Sequence, residues 1–212
     1  MLKTSFKTQL EFDLYKVEQK IRMEKGYLTV SERNQLKPML EKNYKPTIIK
    51  EPEVNPYIKS IITNYQELRK PCVKVEEKED VSIILKELKE TCLVKGGLGL
   101  SANQIGYGKR ISYLRIPIYN EKTKKIEMQE HYLINAKIVN KSRPIKYKDE
   151  SCISFPGIKV DTLRYVFIVV IAENEKRKTN TIMMQDLKAI VAQHEIQHQQ
   201  GITLLESKWK AK

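Results

Sequence analysis

Near the C-terminus the chain reads His194-Glu195-Ile196-Gln197-His198, an H-E-x-x-H pattern. On a helix, positions i and i+4 share a face, so both imidazoles can bind one metal ion. The glutamate between them sits beside that face. There it can take a proton from a water activated by the metal and return it later, as general base and then general acid. The chain has three histidines in all, and two fall in this motif. A catalytic site of this kind needs a third protein ligand and an open position. One group of H-E-x-x-H proteins takes a third histidine six residues on; Gly201 fits that longer pattern, but the ligand position is Leu204. Another takes a glutamate from a following helix, and Glu206 is too close for that. His131 stands beside a hairpin and is expected at the surface. Cysteine remains, and Cys152, within Glu150-Ser151-Cys152-Ile153-Ser154, is the leading candidate.

The elements that must position these groups are legible in outline. After Asp186, Leu187, Ile190, Val191, His194 and His198 recur on one helical face, and Gly201 stands where the helix should end. Upstream, Asp80 precedes a second helical pattern (Ile84, Leu88, Cys92) that stops at Gly96-Gly97. Between the two helices lie β-rich runs at 110–116, 132–140, 144–148, 152–160, 164–172 and 179–184, with Asn120–Lys125 as a hairpin tip. This predicts an α+β fold, small strands and sheets packed around a C-terminal metal-binding helix. Residues 5–25 read as an amphipathic helix (Leu10, Leu14, Val17, Ile21) capped near Gly26. A shorter helix is expected from Ser31 to Asn43, kinked or shortened by Pro38. Pro46, Pro52 and Pro56 mark 46–58 as a linker. Residues 1–57 are thus expected to be an N-terminal, helical extension with its linker, and 58–212 the catalytic domain.

Composition narrows the class. With 212 residues, 41% hydrophobic and 31% charged, the chain has the profile of a soluble globular protein. Its longest apolar run, Tyr165–Ala172, is far short of the roughly 20 residues a membrane helix needs. The first residues lack the apolar segment of a secretory signal, so a cytoplasmic location is expected, with an organelle left open. Three cysteines cannot build a disulfide framework. The net charge of +13 would favour anionic partners such as the ribosome, but the preferred reading is a lysine-rich solvated surface.

Three segments in order resemble the signatures of the peptide deformylase family. They are Gly97-Leu98-Gly99-Leu100-Ser101-Ala102-Asn103-Gln104, Glu150 to Ser154, and Gln193 to His198. The resemblance implies removal of the formyl group from N-formylmethionyl nascent peptides. It implies that Cys152, His194 and His198 hold one divalent metal, Fe2+ in the family, with Zn2+, Ni2+ or Co2+ able to substitute. It makes Glu195 the base. The Gln104 amide and the Ile153 backbone N–H become the oxyanion donors. It implies a substrate site formed by Leu98, Gly99, Glu150, Leu187, Ile190 and Val191. Four positions depart from the family pattern: Ser101 for alanine, Ser151 for glycine, Lys159 for a substrate-binding arginine, and Gln197 for an acid whose expected partner is Arg164. Two other readings stand beside this one: a metallopeptidase of ordinary peptide bonds, and a non-catalytic member of the fold that binds nascent chains or the ribosome.

Overall fold

A computed structural model describes residues 55–210. The two expected helices and the first part of the expected linker, residues 46–54, lie outside the described residues. Asn55–Lys212 forms one compact unit.

The unit begins with a one-turn helix, α1 (Tyr65–Leu68), followed by α2 (Ser82–Lys95). Asp80 Oδ1 accepts from the Ser82 N–H (2.9 Å) at the start of α2, and Gly96, with φ 67°, ends it in the left-handed conformation. Next come β1 (Gly99–Ser101), a 3-10 turn at Ala102–Ile105, β2 (Ile111–Asn120), β3 (Lys125–Lys141), β4 (Pro144–Cys152), β5 (Phe155–Tyr165), β6 (Phe167–Glu173) and β7 (Thr179–Gln185). The last helix, α3, runs Asp186–Gln199. The strands make two antiparallel sheets, β1-β2-β3-β6-β7 and β4-β5. The predicted α+β class is the one observed.

Alternation along β2 and β3 splits the larger sheet's two faces between the helices. Tyr113 and Ile134 pack with Leu85, Leu88 and Cys92 of α2, whereas Leu114 and Leu133 pack with Ala189, Ala192 and Ile196 of α3. Two-residue periodicity alone would send Ala136 and Ile138 toward α2. They face α3 because Asn135, at φ 55°, inserts a bulge into β3. The Asn135 side chain holds that bulge by bonding both backbone groups of Val75 (each 2.9 Å). Each fully buried aliphatic side chain of these two cores contributes about 1.5–3 kcal/mol relative to exposure.

Several expected boundaries move. The runs 110–116 and 132–140 extend into one long hairpin, ten paired residues to its tip. The run 152–160 contains the tight turn between β4 and β5, and 164–172 is broken at Val166. β1, three residues long, carries no periodicity that could announce it.

Candidate active site

The metal-ligand candidates meet at the inner face of α3. Cys152 ends β4, one residue before the turn, and its Sγ lies 3.3 Å from His198 Nε2. His198 Nε2 lies 3.3 Å from His194 Nε2. All three ligand atoms fall within 4.8 Å of one another, and all three residues are buried. A tetrahedral ion bound at ordinary metal–nitrogen and metal–sulfur lengths holds its nitrogens about 3.3 Å apart and a nitrogen and sulfur about 3.5 Å apart. The arrangement therefore fits one divalent ion of that size.

Burial disfavours the charged form of His194, yet its hydrogen bonds to Cys152 and Glu150 outweigh that and raise its pKa to about 10. Burial pushes His198 well below the usual histidine value and keeps it in the neutral, ligating form. Glu195 Oε2 is buried without a hydrogen-bond partner among the described residues. Burial is also the main reason its pKa rises to about 7.

Around this centre sits a ring of supports. His194 Nδ1 donates to Glu150 Oε1 (2.6 Å), which leaves Nε2 facing the centre. Burial would raise the Glu150 pKa, but hydrogen bonds from His194 and Arg164 bring it down to about 2. Arg164 is the largest fully buried side chain among the described residues and forks onto Glu150, Nε to Oε2 at 2.8 Å and an Nη to Oε1 at 2.5 Å. Its other Nη donates to Gln197 Oε1 (2.6 Å). The pairing expected of Arg164 and Gln197 is present, with an amide in place of a carboxylate. Ser207 Oγ also donates to Gln197 (2.8 Å), tying in the chain after α3.

Gln104 sits at the end of the 3-10 turn. Its Oε1 accepts from the Ser101 N–H (2.8 Å), so the amide NH2 is aimed the other way, at Ser154 Oγ (3.1 Å) and Cys152 Sγ (3.5 Å). Gly99 is required by what lies behind it: a Cβ there would come within 2.5 Å of Glu195 Oε1. Its missing side chain is filled by the glutamate, a packing demand that the sequence pattern does not announce.

A cleft of about 280 Å³ opens over the centre. Leu98, Gly99, Glu150, Leu187, Ile190 and Val191, the six expected substrate residues, all line it, as do Gln104 and Ile153. Tyr147 and Asp149 line it too and were not anticipated. Alternation along β4 does not announce them, since it would set both on the face away from Glu150 and Cys152; the irregularity between Tyr147 and Glu150, with Asp149 at φ 52°, removes that opposition. Lys159 is exposed and pairs with Ser151, outside the lining. His131 is not a surface residue: it lies in β3 opposite Leu114, half-buried, and burial lowers its pKa to about 4. Glu206 bonds Tyr65 and Thr203 instead of approaching the centre.

A buried Cys-His-His cluster, with a glutamate beside it on the same helix, defines a metal-dependent hydrolase. The sequence profile of polypeptide deformylases matches residues 58–211, and the chain belongs to the peptide deformylase family. A peptide deformylase of Aquifex aeolicus is 33% identical over 141 residues, which cover 66% of this chain and 80% of that protein. Peptide deformylase 1 of Bacillus anthracis is 34% identical over 136 residues, covering 64% and 81%. The crystal structure of peptide deformylase from Ehrlichia chaffeensis in complex with actinonin aligns with TM-score 0.63 at 32% identity, covering 72% of this chain and 90% of that one.

Proposed function

We propose that this chain removes the formyl group from the N-terminal formyl-methionine of new polypeptides, with Cys152, His194 and His198 as ligands of one Fe2+ ion. The observation that carries the reading is the cluster itself: three buried ligand atoms at coordination spacing under a cleft that also holds Glu195 and Gln104. A divalent ion there would supply Lewis acidity, lowering the pKa of a water and polarising the formyl oxygen. A thiolate with two imidazoles accepts zinc, nickel or cobalt as well as ferrous iron.

The protein's own groups do the rest. Glu195 takes the proton of the attacking water, and the same carboxyl delivers one to the departing amine nitrogen. One carboxyl, buried beside the ligands, serves both transfers. The Gln104 NH2 and the Ile153 N–H donate to the oxygen that gains negative charge. Gln104 is well suited because Ser101 fixes its other end. Glu150 keeps His194 in the tautomer that presents Nε2, a positioning role beyond the lining role expected for it. Leu187, Ile190 and Val191 give the methionine side chain an apolar wall. The open edge of β1 at Gly99 offers backbone groups to the peptide, whereas the Leu98 C=O accepts from the Arg115 N–H (2.8 Å).

The test is formate release from a formyl-methionyl peptide by full-length protein reconstituted anaerobically with Fe2+, compared with Ni2+ and Zn2+. Formate should appear, and the same peptide without its formyl group should stay intact. Cleavage of the unblocked peptide would move the assignment to a peptidase. Glu195→Gln should keep its metal and lower turnover by about 10²–10⁴-fold or more, the contribution of a general acid–base group. Retention of turnover within about tenfold would remove Glu195 from the chemistry. Actinonin, bound by the Ehrlichia relative, should inhibit the loaded enzyme.

A further inference from the structure

The larger sheet ends in two outer strands. The open edge of β1 faces the cleft and belongs to the site above. β7 has no such use. From Thr179 to Gln185 it carries no charged residue and no proline, and it pairs with β6 over all seven residues without a bulge. Open strand edges in natural proteins are ordinarily guarded by charge, proline or irregularity. β4 shows the guard, with Pro144, Lys146, Lys148 and Asp149. In the middle of β7, Met183 is 73% exposed.

The hydrogen-bond phase of β7 can be read from its ends. In an antiparallel pair, residues alternate between exchanging both backbone bonds with the neighbour and pointing both groups away. Asp186 N donates to Val166 O (2.8 Å) and Asn174 N donates to Lys178 O (3.0 Å), both on the β6–β7 register. Even-numbered residues of β7 therefore bond to β6. The N–H and C=O groups of Thr179, Thr181, Met183 and Gln185 point outward. Among the described residues, no backbone group outside β6 and β7 reaches them.

We propose that β7 is the contact edge of a homodimer, two copies pairing antiparallel about a twofold axis at Ile182. The outward groups are satisfied only when odd-numbered residues face odd-numbered residues. With the axis at Ile182, Thr179 faces Gln185 of the second copy and Thr181 faces its Met183, giving about eight backbone hydrogen bonds; moving the axis one residue either way leaves about six. The same register sets Lys178 opposite Asp186 of the second copy, twice by symmetry, and both side chains are exposed. A second copy is the occupant this edge fits, because two chains of charge +13 meet where neither brings charge, flanked by pairs of opposite sign. A single strand edge buries less than the roughly 1,200–2,000 Å² of a stable interface, so the dimer is concentration-dependent.

Sedimentation of the full-length chain from micromolar to near-millimolar concentration tests this. A reversible monomer–dimer equilibrium is expected. Thr181→Pro removes an outward N–H that β6 does not use, a position where an edge strand accepts proline. Lys178→Glu places like charges opposite each other. Each should weaken the dimer by about tenfold or more, and thermal melting checks that each variant is folded. Amide exchange at Thr181 and Met183 should slow as concentration rises, while that at Ile182 should not respond. A monomer at every concentration overturns the proposal. So does a dimer that both substitutions leave intact, or one in which the odd-numbered amides stay unprotected.

Discussion

Gly99 and Glu195 occupy one volume between them. The Cβ of an alanine at 99 would stand 2.5 Å from Oε1 and 2.8 Å from Cγ of Glu195, so the carboxylate must move. Displacement of about 1 Å at a reacting group can cost 10²-fold. Gly99→Ala should therefore bind metal in full stoichiometry and turn over formyl-peptide about 10²-fold more slowly; an unchanged rate would mean that the glutamate tolerates relocation. Cysteine replacement separates the three thiols. Cys152→Ala should lose the metal. Cys72→Ala and Cys92→Ala should keep it, since neither thiol belongs to the cluster and burial raises them to about 11 and 12. At this scale most of the site was legible, because His194, Glu195 and His198 share a helix and their spacing encodes a common face. Glu150 was legible only as a cleft residue. Its bond to His194 joins residues 44 apart in sequence, and no local pattern records such a pairing.

At the scale of elements, the site depends on β4, β5 and α3 being clamped by Arg164. The guanidinium, from β5, is 1% exposed and is held by Glu150 of β4 and Gln197 of α3. Removing one partner of a buried ion pair costs about 3–5 kcal/mol, because the remaining charge is left without compensation. Arg164→Leu should lower the melting temperature by about 6–20 °C. Adding Glu150→Gln should recover much of that loss, since the orphaned charge goes with it; failure to recover would show that the packing of the arginine, and not its charge, matters. The clamp explains what the sequence could and could not convey about the elements. α2 and α3 were readable from their periodicity and from Gly96 and Gly201. The strands were readable as β-rich runs, but their ends were not. The turn at Ile153-Ser154 contains no glycine or proline, and the bulge at Asn135 changes the facing of Ala136 without changing residue character.

For the molecule as a whole, the ligand cluster joins parts of the chain far apart in sequence, which also meet through packing and through the hydrogen bonds of Glu150 and Arg164. Cys152 ends β4 and both histidines come from α3, so an ion held there would link the smaller sheet to the last helix. The unfolded chain has no such preformed site, so binding adds to folding stability. An ion at about 100 times its dissociation constant contributes about 2.7 kcal/mol. For a domain of this size that raises the melting temperature by about 5–11 °C. Treatment with a chelator should lower the midpoint by that amount, and returning Ni2+ or Co2+ should restore it. Cys152→Ala should melt at the same temperature with and without metal, because two imidazoles alone leave the site incomplete. Cys92→Ala, which removes a thiol from the α2 core and leaves the ligands in place, should melt lower overall yet keep the full shift on metal addition. If Cys152→Ala kept the wild-type shift, the ion would be binding through other residues and the ligand assignment would fail, whatever the formate assay gave.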